Sequence, residues 1–138
     1  MATHTPIPEE LHSLIAAQPL FESLPEETLA KLIAEGRLMR FESGESMIEE
    51  NTSNEALFLL LKGTATAIIS ETPVGRLEPG DIAGEISTAG ISPPIASVVA
   101  ETDVEAVAFP VDAVARIAET DAGFGKRLRD AAFRRVSG

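Results

Sequence analysis

Between Arg37 and Phe109 the chain holds seven short apolar runs, each closed by turn residues, and this tight spacing limits the fold more than any other feature. The runs are residues 37–42, 46–49, 56–62, 64–70, 74–77, 95–100 and 104–109, rich in the Ile, Val, Leu, Thr and Phe that suit a pleated, half-buried surface. Ser43-Gly44-Glu45, Asn51 to Asn54, Lys62-Gly63, Glu71-Thr72-Pro73, Glu78-Pro79-Gly80-Asp81 and Glu101-Thr102-Asp103 separate them. Gaps this short leave no room for crossover helices, so the pattern predicts a sandwich or barrel-like roll and not a parallel sheet. One interval is out of step. Residues 82–94, IAGEISTAGISPP, are too long for a hairpin and contain a helix-compatible piece, Gly84 to Ala89, followed by a glycine and two prolines. An insertion of this kind in an all-β region is commonly where function sits.

Both flanks read as helical. Leu11, Leu14 and Ile15 recur at helical spacing, as do Leu29, Leu32 and Ile33. Ser23-Leu24-Pro25-Glu26 predicts a serine-capped second helix with proline in its first turn, and Gly36 is a natural stop. After Phe109-Pro110, Val111, Val114, Ile117 and Ala118 mark one helix and Phe124, Leu128, Ala132 and Val136 a second. The 138 residues fit a single core, so residues 1–138 are expected to form one domain: N-terminal helices over 7–36, a roll over 37–109 and C-terminal helices over 110–138.

Charge and side-chain inventory exclude several functions. There are 22 acids against 11 Lys and Arg, a net −11, which repels phosphate backbones and anionic headgroups, so neither nucleic acid nor membrane is expected as a partner. Without cysteine there are no disulfides, thiolate metal sites or thiol nucleophiles. The two histidines, His4 and His12, precede the expected core and are expected to be exposed, which argues against imidazole metal sites and Ser/His/Asp catalysis. No metal, no catalytic residue and no enzyme activity are expected. The first 25 residues lack a basic start and a long apolar run, and no stretch approaches the roughly 18 apolar residues of a membrane span, so the expected location is the cytoplasm.

The order of elements, helices, then a β-roll interrupted by one short helix, then two closing helices, resembles the cyclic nucleotide-binding domain family. Pro19-Leu20-Phe21-Glu22-Ser23-Leu24-Pro25-Glu26-Glu27 is similar to the family's opening segment, and Gly44 and Gly63 stand where the family turns between strands. Glu78-Pro79-Gly80-Asp81 resembles the turn into its phosphate-binding cassette, Ala83-Gly84-Glu85-Ile86 the cassette's opening, and the eight-residue step from Glu85 to Pro93 continues in register through Ala96-Ser97-Val98. The resemblance covers roughly residues 10 to 136 and implies a double-stranded β-helix, or jelly-roll-like β-roll, with a cassette over 82–97. It implies cAMP or cGMP as the ligand, with no resident cofactor. It also implies Gly84, Glu85, Ile86 and Ser87 as sugar and phosphate contacts, with Glu85 accepting from the ribose hydroxyl. A helix beginning near Gly84 offers free N–H groups and a positive dipole end to an anion. A purely local capping or pairing role is equally open for Glu85.

The departure falls one residue after Pro93, where the family normally has the arginine that neutralises the cyclic phosphate. Here it is Pro94, which supplies neither charge nor N–H. Ile95 follows, its N–H available but its bulk narrowing the pocket; Ala96 and the hydroxyl of Ser97 come next. A charged hydrogen bond contributes about 1.5–3 kcal/mol, and stripping the cation from a partly buried anion site costs roughly 3–5 kcal/mol. At about 1.4 kcal/mol per decade, micromolar binding becomes millimolar. Pro93-Pro94 also reads simply as a rigid connector, and Arg76 and Lys62 are the neighbouring-strand cations to consider as replacements.

Five of the eleven cations, Lys126, Arg127, Arg129, Arg134 and Arg135, lie in the last helix with one acid, Asp130. Such a run suits a solvated helix face; it also suits a protein partner or a second copy reached through the C-terminal helices, and Phe133 is the candidate lid over a base. The expected function is a non-enzymatic sensor or regulatory module with weak or lost cyclic nucleotide binding. The alternative is a structural or oligomerisation subunit of a larger complex that uses the fold as scaffold.

Overall fold

The computed structural model describes residues 3–22, 24–49, 56–83 and 97–137, with the backbone alone for 3–4, 129 and 131–137. The apolar runs become β2 (Arg37–Phe41), β3 (Ser46–Ile48), β4 (Ala56–Lys62), β5 (Ala65–Ile69), β6 (Thr72–Leu77), β8 (Ser97–Ala100) and β9 (Val104–Pro110), joined by β1 (Thr3–Pro6) and β7 (Ile82–Ala83). All pairings are antiparallel. One sheet has the order β1-β2-β9-β4-β7 and the other β3-β8-β5-β6, which is the β-roll expected from the strand spacing.

The two central strands explain the layering. In β4 from Ala56 to Leu61 and in β9 from Ala106 to Phe109 the apolar run is continuous because both faces are covered. Leu57, Leu59, Val107 and Phe109 face the helices, and Phe58, Leu60, Ala106 and Ala108 face the second sheet. The helices are short α1 (His12–Ala16), α2 (Glu26–Glu35), α3 (Val111–Thr120) and α4 (Ala122–Ser137), with 3-10 turns at Glu9–Leu11 and Pro19–Phe21. They close over the helix side of the five-stranded sheet through Phe21, which stands edge-on to Phe109 at 5.7 Å and stacks on Phe124 at 6.2 Å. Asp121 links the last two helices: its N–H donates to the Ile117 carbonyl at 2.8 Å while its Oδ1 accepts from the Phe124 N–H at 3.0 Å, capping α4.

Several local expectations change. Helix α2 starts at Glu26 with Pro25 as its N-cap, whose carbonyl accepts from the Leu29 N–H at 3.0 Å; among the described residues no side chain caps the helix, and Ser23 lies outside them. Leu14 is 46% exposed although Ile15 is fully buried, because α1 is too short for a two-turn stripe. The histidines do not precede the fold: residue 4 lies in β1, paired with Met39, and His12 is half-buried. The β5–β6 turn is Ser70-Glu71, both at positive φ (48° and 68°), so β6 runs from Thr72 through Pro73, which an edge strand tolerates. Gly36 ends α2 in an extended conformation, and its lack of a side chain matters for packing. A Cβ there would sit 2.7 Å from Ile7 Cδ1 and 3.0 Å from the Phe109 ring.

Candidate ligand-binding cassette

The approach to the cassette is fixed by four residues. Pro79 and Gly80 occupy the corners of a β-turn in which the Asp81 N–H donates to the Glu78 carbonyl at 2.9 Å, and Gly80 takes φ +95°, the left-handed value that glycine tolerates without strain. The Asp81 carboxylate folds back to accept from the Glu78 N–H at 2.8 Å. The turn is stitched to β4 by Gly80 N–H to the Leu60 carbonyl at 2.8 Å and by Leu60 N–H to the Asp81 carbonyl at 3.0 Å. These bonds set the register of β7, in which Ile82 pairs with Leu59 and Ala83 with Phe58. Ile82 thus joins the core under the helices and Ala83 the core between the sheets.

The chain then passes from an edge strand of one sheet to an inner strand of the other. Gly84, Glu85, Ile86, Ser87, Pro94, Ile95 and Ala96 lie outside the described residues, as does the proposed helix over 84–89. Ser97 is described. It opens β8 opposite Ile68, is half-buried, and alternates with the buried Val98 and Ala100, which places it on the outer face of the four-stranded sheet. Phe133 lies on α4, with its side chain outside the described part.

Most cations with described side chains have described partners. Arg76 pairs with Glu101 at 3.3 Å, on the same carboxylate that accepts from the Thr66 hydroxyl. Arg40 pairs with Glu105 at 3.3 Å, Arg116 with Glu35 at 3.7 Å and Lys126 with Asp130 at 3.0 Å. Lys62 is exposed at the end of β4. Arg127 is half-buried, and its Nε donates to the Leu20 carbonyl at 3.0 Å. None of the described cations is buried between the sheets, and the cassette positions that Arg76 or Lys62 would have to reach to replace the missing arginine lie outside the described residues. The Glu45 carboxyl is held below its usual range, first by the Glu42 N–H, which donates to Oε1 at 2.7 Å; it lies in the Gly44 turn and not at the cassette.

In the sequence Arg127 is one cation of a basic run. Its anchoring to Leu20 joins positions 107 residues apart and carries no local signal.

Residues 38–121 match the family pattern described as the Cyclic nucleotide-binding domain, which is more than half of the chain. The chain belongs to the cyclic nucleotide-binding domain family. It is 34% identical over 101 residues to the cAMP-dependent protein kinase regulatory subunit of Aspergillus fumigatus, covering 72% of this chain and 24% of that protein. The chain therefore spans about a quarter of the length of the curated relatives it matches. The regulatory domain of Toxoplasma gondii PKA, solved with cAMP, superposes with a TM-score of 0.80 at 16% identity, covering 91% of this chain and 49% of that one. The regulatory subunit of a cAMP-independent protein kinase A from Trypanosoma brucei was solved as a triple variant, Glu to Ala, Thr to Arg and Val to Ala, bound to cAMP in its A site. It superposes at 0.75 with 20% identity, covering 91% and 46%. At these identities the two structures establish the shared fold. A cyclic nucleotide-binding domain is thus the frame in which the turn at 78–81, the paired β7 and the crossing to β8 are to be read. Among the described residues no helix is long and apolar enough to cross a membrane.

Proposed function

We propose that this chain is a non-enzymatic regulatory module of the cytoplasm whose cassette binds cAMP and cGMP weakly or not at all. The observation that carries the reading is Pro94 at the position of the phosphate-binding arginine. The described arginines support it, because Arg37, Arg40, Arg76, Arg116 and Arg127 each have a partner among the described residues. The Trypanosoma brucei regulatory subunit is a parallel: it is named cAMP-independent, and a variant that includes a Thr-to-Arg change is bound to cAMP. In this reading Gly84, Glu85, Ile86 and Ser87 are the sugar and phosphate contacts that the family resemblance implies, Pro94, Ile95, Ala96 and Ser97 bring no countercharge, and Phe133 is the candidate lid.

A second reading is favoured by the five cations of the last helix against an acidic body. Here residues 1–138 act as one interaction unit, and the C-terminal helices dock on an acidic protein surface or a second copy. Calorimetric titration with cAMP and with cGMP tests the first reading. Dissociation constants above about 100 µM are expected for both, and binding below about 10 µM, the range of a working sensor, overturns it. Light scattering at low and high salt tests the second: a charge-driven complex dissociates as salt rises.

A further inference from the structure

A cavity of about 490 Å³ lies beside the start of the cassette, within the size range of small-molecule sites. It is on the opposite side of the five-stranded sheet from the roll interior. Its floor, Leu20, Leu59 and Ile82, belongs to the core under the helices, whereas the neighbouring Phe58 and Ala83 face the other way. Pro19 and Pro79 add to its apolar lining. The rim carries the Gln18 amide, the Asp81 and Asp130 carboxylates and Arg127. Three of these four groups can accept a hydrogen bond, and the acids outnumber the cation. The only described bonds of the two carboxylates are Asp81 Oδ2 to the Glu78 N–H and Asp130 Oδ2 to Lys126, which leaves each an Oδ1.

We propose that this cavity is a second ligand site, separate from the cassette, for a flat heterocycle whose edge carries amidine-like N–H donors, the class that includes aminopyrimidines and aminopurines. The apolar lining of Leu20, Leu59, Ile82 and the two prolines takes the ring, and the carboxylates and the Gln18 carbonyl take the donors. Anions are rejected by the acid excess on the rim. Occupancy would be felt at the cassette, because Ile82 leads straight into it, and at the last helix through Arg127 and Asp130.

The test uses two probes of the same shape and opposite charge, benzamidine and benzoate, at millimolar concentration with the full chain. Methyl NMR distinguishes the two sides of the sheet. The expected result is that benzamidine shifts Leu20, Leu59 and Ile82, leaving Leu60 and Val98 unmoved, and that benzoate shifts none of them. Asp130→Lys, a change at an exposed position, should weaken benzamidine about two- to fivefold, and Gln18→Ala gives an independent loss on the other wall. Shifts confined to the roll interior, equal response to benzoate, no response to either probe, or an unchanged benzamidine affinity in both variants would each overturn the proposal. None of these results bears on cyclic nucleotide binding, so the two readings fail separately.

Discussion

On the helix side of the five-stranded sheet the core is built from Phe21, Phe109, Phe124 and a set of leucines, whereas the core between the sheets, besides its Phe41–Phe58 pair, carries alanine at 83, 106 and 108 from the five-stranded sheet and at 65, 67 and 100 from the four-stranded one. The same strands supply both faces, Val107 and Phe109 on one side of β9 and Ala106 and Ala108 on the other. The difference separates two jobs. Large side chains hold the N-terminal turn and the closing helices to the sheet, and their burial supplies most of the apolar stabilisation. Small ones let the two sheets approach.

The contrast can be broken by exchanging sizes. Phe109→Ala removes a fully buried ring that touches Phe21, and a loss of about 3–5 kcal/mol is expected in urea unfolding. Ala106→Leu inserts bulk into the alanine-lined face, where about 1–3 kcal/mol of destabilisation is expected from overpacking. A neutral result there would mean that the roll interior has room to spare. Asp121→Ala removes the α4 cap without touching either core and should cost about 1 kcal/mol in the same assay. The smallest effect lies outside both faces. Glu71→Gly relieves a non-glycine residue at φ 68° in the β5–β6 turn, and a gain of about 0.4–1 kcal/mol is expected, offset in part by the added freedom of the unfolded chain.

The same division explains what the sequence made legible. Strands β4 and β9 stood out as continuous apolar runs bounded by Lys62-Gly63 and by Pro110, and the 78–81 turn was readable because proline and glycine occupy the two corners that demand them. Strands β1 and β7 were missed, because four and two residues have no period of their own and exist only through pairing with β2 and β4. The turn at Ser70-Glu71 was placed one residue late, since neither residue announces a left-handed backbone while Pro73 does announce a break. The N-cap position of α2 falls on Pro25, whose carbonyl accepts the first helical bond, while the serine expected there, Ser23, lies outside the described residues. At the site, the motif from Gly80 to Ser97 was visible in sequence and its approach through Asp81 and β7 now has a geometry. The cavity on the helix side had no such signal, because its lining comes from four separated stretches of chain.

The central claim concerns one position. Cyclic AMP affinity of the natural chain and of Pro94→Arg, measured side by side by calorimetry, tests it most directly. The expected result is a gain of about one to three decades in the variant, the size of a restored charge-assisted contact to phosphate. Equal affinities, or tight binding by the natural chain, would contradict the claim that Pro94 is what sets this cassette apart.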